Sequence, residues 1–289
     1  MNQRMKTNMK HLLCCCVLPL SMALHAACPD AAAVKAYLND FGKRQLSQGF
    51  PRDISLPDAR CARQQLFKQL PLYLGQHMGY KLGFTSPAAQ QQFGVDGPQW
   101  GYMFDRNMVD IIAILPANFG ALPYLEADLI VEVKDAGLAE ARTPLEALRH
   151  LESIVPFIEL PDLMLDGEYT GKDILAVNMA FRGGVLGAEL PLQASPDVVD
   201  ALANMVVVMR DLKSGQELGR TSGSTLMGNP LNAAIYLAKA LKKEGISLKK
   251  GDLLSLGSFF PARPTRSGQH IEVQYLGLPG DPAVRVEFN

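Results

Sequence analysis

Tyr124-Leu125-Glu126-Ala127-Asp128-Leu129-Ile130-Val131-Glu132-Val133 alternates apolar residues at 125, 127, 129, 131 and 133 with Glu126, Asp128, Ile130 and Glu132. A period of two predicts a strand that carries Glu126 and Asp128 on one face. A helix start follows at Thr143-Pro144-Leu145-Glu146, which combines a capping box with proline at the first helical position. A second apolar run, Val155-Pro156-Phe157-Ile158-Glu159-Leu160, contains Glu159 as its only charge. Burying that carboxylate alone costs several kcal/mol, so it needs a partner. If the two strands are neighbours, Glu126, Asp128 and Glu159 can converge on one small hard cation. Three oxygen ligands suit magnesium or manganese better than zinc. The residues alone also allow a polar strand face, with Glu159 paired to an arginine.

Residues 1–27 read as an export signal. Arg4, Lys6 and Lys10 form a basic head, Leu12 to Leu20 an apolar core, and His25-Ala26-Ala27 a cleavage region. The stretch is too short, and too interrupted by Pro19, for a spanning helix. The expected location is periplasmic or secreted, and Cys28 directly after two alanines also fits a lipoprotein anchor. Removing three basic residues changes 28 positive and 29 negative side chains to 25 and 29, a net charge of −4. Nothing in that balance suggests nucleic acid or stable membrane insertion. Cys28 and Cys61 remain, an even pair that predicts a disulfide in an oxidising compartment or, alternatively, two separate thiols. The remaining residues, 28–289, are enough for one catalytic domain with a helical flank at 28–75.

Along the chain, helices are expected over 31–48 and 57–74, and Met78 to Thr85 reads as a short strand with Lys81 in its middle. Phe93 to Gly101, holding the only tryptophan, reads as a mobile loop over a site. Gly171-Lys172-Asp173 opens a short helix, and Gly183 to Gly187 reads as a strand. Val206 to Arg210 and Glu217 to Arg220 form a hairpin, a helix runs from Asn229-Pro230 to Glu244, and strands close the chain at 253–258, 271–276 and 284–288. Strands with helices gathered early and near 235 indicate an α+β fold.

Several segments together resemble the 2-hydroxypentadienoate (2-oxopent-4-enoate) hydratase and 4-oxalocrotonate decarboxylase family of the fumarylacetoacetate hydrolase superfamily. They are Gly79-Tyr80-Lys81-Leu82-Gly83-Phe84-Thr85-Ser86, Phe93-Gly94-Val95-Asp96, Gly101 to Asp105, Glu126-Ala127-Asp128, Pro156-Phe157-Ile158-Glu159, Val185-Leu186-Gly187, Gly228 to Ala233 and Gly245 to Asp252, in the family's order. The resemblance implies a mixed, largely antiparallel β-roll or barrel with flanking helices. It also implies magnesium or manganese bound through Glu126, Asp128 and Glu159, with Lys81 as the active-site lysine. Asp128 stands where the family usually carries glutamate, and this shorter arm can shift the ion or recruit a water. A 2-oxo acid is the implied small-molecule partner, and a homo-oligomer is left open.

Two departures bear on the substrate. Where the family shows D-N-A-S-S the chain reads Val177-Asn178-Met179-Ala180-Phe181-Arg182, and where it shows G-S-L-T it reads Gly257-Ser258-Phe259-Phe260. Asn178, Phe181, Arg182, Ser258 and Phe260 are therefore expected to line a bulkier, more apolar substrate pocket. The expected activity is that of an exported, metal-dependent hydratase or decarboxylase acting on an enolisable 2-oxo or 2-hydroxydienoic acid. An acylpyruvate-type carbon–carbon hydrolase ranks second, because His77, His150 and His270 occupy no obvious place for activating water. A non-catalytic metal- and carboxylate-binding protein of the same fold is the third reading.

Overall fold

The computed structural model describes residues 28–110 and 112–289, so the expected export signal lies outside the described residues. The strand read first spans Tyr124–Val133 and lies inside a mixed nine-stranded sheet. The main path runs Gln99–Phe104, His77–Gly83, Leu253–Ser255, Tyr124–Val133, Leu151–Pro161, Phe181–Leu186, Met108–Asp110. Two short strands, Arg263–Pro264 and Leu190–Pro191, attach beside it. A second sheet of five strands runs Gln216–Ser222, Val206–Asp211, His270–Leu276, Ala283–Phe288, Ile112–Leu115. Pairing is antiparallel except where His77–Gly83 meets Leu253–Ser255, Met108–Asp110 meets Phe181–Leu186, and Ile112–Leu115 meets Ala283–Phe288. This is the curled α+β arrangement expected from the segments.

The acidic strand is central because its apolar face has an apolar layer to bury against. Leu125, Ala127, Leu129, Val131 and Val133 are all at most 1% exposed. The buried hydroxyl of Tyr275, from the second sheet, donates to the Asp128 carbonyl and fastens the two sheets together. Helix Pro230–Lys243, capped by the Asn229 side chain accepting from the Leu231 N–H, buries Leu231, Ala234, Leu237, Ala238 and Leu241. Helix Leu56–Phe67 packs beside helix Gly171–Ala176.

Several boundaries differ from the expectations. The first helix, Ala31–Lys43, stops early because Arg44 turns left-handed (φ 55°) and its N–H closes back on Asp40 and Phe41. The second divides into Leu56–Phe67 and Pro71–Leu74, since Pro71 cannot continue the ladder. Trp100 is not in a mobile loop: it is 2% exposed within the strand Gln99–Phe104, with the buried Arg63 guanidinium 3.4 Å from its ring centroid. Cys28 and Cys61 are joined by a disulfide with Cα atoms 5.5 Å apart, tying the chain before the first helix to the second. Among the described residues no helix is long and apolar enough to cross a membrane.

Candidate metal and acid–base site

Strand register assembles the site. Glu126 is directly paired with Glu159, Ile130 with Ser255, and Ser255 with Lys81. Paired residues share a face and alternate residues return to it, so Lys81, Glu126, Asp128, Glu159 and Ser255 all project to the same side. Two glutamates directly opposite one another repel, and a cation on that face offsets the repulsion. In this structure the cation is Lys81, whose ammonium donates to Glu159 Oε1 and, at 2.9 Å, to the carbonyl of Met179. Lys81, Asp128 and Glu159 are buried, while Glu126 is partly exposed and opens the cluster to a ligand.

One ammonium does not neutralise three carboxylates. Burial, and then the charge of Glu159, pushes Glu126 up to about 8. Burial and Glu159 push Asp128 up to about 7, against the opposing pull of the Ser255 hydroxyl and the Leu129 N–H. Glu159 is also raised by burial, against the attraction of Lys81. Burial alone would lower Lys81, but Glu159, Glu126 and Asp128 together outweigh it and hold the ammonium above its ordinary range. Among the protein groups alone, Lys81 is therefore held charged.

Glu159 Oε2 is the strongest sign that a hard cation fits. It is fully buried and has no hydrogen-bond partner among the described residues. Leaving a charged acceptor in that state costs more than the roughly 1–3 kcal/mol of an ordinary unsatisfied group, and an oxygen-seeking divalent ion would relieve it. Asp128 departs from the expected ligand geometry. Its two oxygens accept from the Ser255 hydroxyl at 2.6 Å, from the Leu256 N–H at 3.1 Å, and from the Gly257 N–H at 3.1 and 3.2 Å. The shorter aspartate arm ends inside this nest of donors. Among the described residues, accordingly, no three acidic, histidine or cysteine side chains already converge as a cage.

The residues expected to line the pocket are placed differently from one another. Asn178 is 1% exposed, and its side chain accepts from the Tyr102 N–H at 2.7 Å and donates to the Tyr102 carbonyl at 2.9 Å. Phe181 is a core residue 6.3 Å from the Phe104 ring. Arg182 points away from the acids: it donates to Asp162 at 2.9 Å, to the Phe41 carbonyl at 3.0 Å and to the Phe119 carbonyl at 3.1 Å. Its guanidinium fastens the first helix to the sheet, because a buried arginine must find acceptors and the adjoining loop and helix supply them. Ser258 donates to the carbonyls of Ala127 and Phe260 and shapes the bend leaving the strand, and Phe260 is partly buried against Gly219. A cavity of about 560 Å³ lined by Ile154, Leu190, Val198 and Leu278 shares no residue with the acids.

With this geometry established, comparison with known proteins decides the family. The chain is 31% identical over 224 residues to 2-keto-4-pentenoate hydratase 1 of Dechloromonas aromatica (strain RCB), covering 76% of this chain and 82% of the relative. It is 30% identical over 247 residues to 2-keto-4-pentenoate hydratase of Paraburkholderia xenovorans (strain LB400), covering 84% and 87%. The chain belongs to the 2-keto-4-pentenoate hydratase/4-oxalocrotonate decarboxylase family. No family model matches it. Among solved structures, 4-oxalocrotonate decarboxylase from Pseudomonas putida G7 superposes with a TM-score of 0.76 over 89% of this chain and 96% of that one. At 22% identity that likeness shows the fold. The hydratase/decarboxylase family is one of lyases, and the protein is an enzyme of that type.

Sequence reasoning missed Ser255, the Met179 carbonyl, Asp162 and Tyr275. Ser255 left a faint trace, a single hydroxyl between Leu254 and Leu256 in an apolar strand. A backbone carbonyl leaves none.

Proposed function

We propose that this family member is an exported, divalent-metal-dependent lyase, a hydratase or decarboxylase, acting on an enolisable 2-oxo or 2-hydroxydienoic acid. The observation that carries the proposal is the buried Lys81–Glu159 pair facing Glu126, with Glu159 Oε2 unpartnered. The Pseudomonas putida G7 decarboxylase, which shares the fold, is complexed with calcium and acetate in one structure and with magnesium and adipate in another. In the present chain Glu126 and Glu159 would hold the ion, while Asp128, fixed in its nest, adds negative charge beside them. A bound divalent ion supplies positive charge next to the carboxylate and keto oxygens of a 2-oxo acid as enolate character develops.

The chain's own residues do the rest. Lys81 Nζ is the cationic donor beside the acids: they hold it charged at neutral pH, so it can donate to an oxygen or carbon of the substrate as negative charge develops there. Water addition to the far carbon and loss of carbon dioxide from it both pass through the same enol, so one lysine serves either reaction. Hydrolysis by a histidine-activated water finds no support. His77 sits among Phe67, Tyr80 and Tyr102, His150 pairs with Asp135, and His270 pairs with Glu287. Export is supported by the basic and apolar amino-terminal pattern and by the Cys28–Cys61 pair.

The test is turnover by the mature chain, residues 28–289, with manganese or magnesium and a panel of 2-hydroxydienoates and acylpyruvates. We expect loss of dienoate absorbance or release of carbon dioxide that chelation abolishes. Tight binding of these acids with no turnover of any would overturn the lyase reading in favour of a binding protein.

A further inference from the structure

The acids occupy one side of Lys81, and on the other lies a turn in an unusual conformation. Asn178, Met179 and Ala180 have φ of 58°, 53° and 55°, three consecutive non-glycine residues in the left-handed region. Side chains are strained there, so such a run persists only when its surroundings hold it. All three residues are at most 4% exposed.

The holding contacts are specific. Asn178 clamps both backbone polar groups of one residue in the neighbouring strand, accepting from the N–H of Tyr102 and donating to its carbonyl at 2.7 and 2.9 Å. The Ala180 carbonyl accepts from the Asp162 N–H at 2.9 Å. Beneath the turn the strand surface is bare. A Cβ on Gly101 would stand 2.7 Å from the Asn178 carbonyl oxygen and 2.9 Å from Met179 Cβ, and one on Gly83 would stand 2.4 Å from Met179 Cε. Gly101 is the register partner of Lys81, so the turn is seated directly over the lysine. The result is a Met179 carbonyl aimed at Lys81 Nζ at 2.9 Å. Rotation of that peptide back toward the right-handed region would turn the oxygen away.

We propose that Asn178 is a positioning residue for Lys81: its clamp on Tyr102 holds the left-handed turn whose Met179 carbonyl, opposite Glu159, fixes where the ammonium points. Asn178 therefore acts through backbone and lysine instead of touching substrate. The kinetic part of this inference rests on the proposed lyase activity, whereas the reactivity of the amine does not.

The test uses the mature chain with Asn178→Ala, Asn178→Gly and Gly101→Ala. In metal-free protein, the rate of reductive methylation of Lys81 is read by mass spectrometry against exposed Lys213. Asn178→Ala and Gly101→Ala should raise the Lys81 to Lys213 ratio about 10-fold or more. Asn178→Gly, which takes a φ of +58° without strain, should retain part of the protection. Leu241→Ala, a cavity variant in helix Pro230–Lys243, should lower Tm without exposing Lys81. With a turned-over acid, Asn178→Ala should reduce kcat about 10²-fold, the scale for misplacing a proton-transfer group, while KM stays within about twofold. A folded Asn178→Ala with Lys81 still protected, or protection lost equally in Leu241→Ala, overturns the proposal. If Asn178→Ala does not fold, Gly101→Ala decides by the same criteria. Absence of turnover in the parent chain would sink the lyase reading and leave the labelling result to judge the positioning role.

Discussion

Replacing Lys81 by methionine removes the ammonium from a face carrying three carboxylates while keeping an unbranched side chain that fills most of the space. The side chains of Lys81 and Glu159 are 5% and 0% exposed, so the pair is out of water. Removing one partner of such a pair costs about 3–5 kcal/mol, because the other charge stays buried and unpaired. At about 2–4 °C per kcal/mol for a domain of this size, Tm should fall by about 6–20 °C in chelator at pH 8. Glu159 can escape part of the penalty by taking a proton, so the loss should shrink toward pH 5. A divalent cation at a hundred times the parent's Kd should return about 2.7 kcal/mol to the parent, and at that same concentration more to the variant, which binds it more tightly because no ammonium competes for Glu159. The assay is thermal unfolding with chelator or manganese, combined in a double-mutant cycle with Glu159→Gln. Tm of Lys81→Met within about 2 °C of the parent in chelator, together with additivity of the two substitutions, would refute the buried ion-pair reasoning.

Three further outcomes are expected. In metal-free protein Glu126 and Asp128 titrate near 8 and 7, above their ordinary carboxylate values. Their contribution to stability is present below about pH 4 and lost as pH rises through 7 to 8, so Tm in chelator should fall from pH 5 to 8, and a rise over that interval would contradict the assignment. Arg182→Leu leaves Asp162 buried without its cation and should cost about 3–5 kcal/mol with KM unchanged, whereas a raised KM at unaltered stability would return Arg182 to the substrate pocket. Reducing the Cys28–Cys61 bridge, which closes a loop of sequence separation 33, should cost roughly 3–4 kcal/mol in the chain-entropy model; mass spectrometry of the unreduced protein checks the bridge, and denaturant unfolding with and without reductant checks its worth.

The local pattern was enough for many of the elements. Alternation placed the strand at 124–133, the Asn229-Pro230 cap placed the helix after it, and the collinear segments from Gly79 to Asp252 marked the family. These features depend on neighbours a few residues apart, and period, caps and glycines record them. A shared face for Glu126 and Asp128 was likewise available from the period of two.

What the period could not supply was what meets that face. Lys81 reaches Glu159 across 78 positions, and Ser255 reaches Asp128 across 127, because strand Leu253–Ser255 inserts between His77–Gly83 and Tyr124–Val133. That crossover brings in the donors that absorb Asp128 and leave Glu159 Oε2 alone. Arg182 read as a pocket residue because nothing local named Asp162 and the Phe41 carbonyl as its acceptors. Trp100 read as a loop residue because Arg63, 37 positions away, stacks on it only after helix Leu56–Phe67 docks. The strained turn at 178–180 had no sequence signal either, since asparagine, methionine and alanine adopt the left-handed region only when a folded surface holds them there. The sequence thus determined which strand bears the acids, and the tertiary structure decided which cation, donors and carbonyl face them, because those partners are set by strand order.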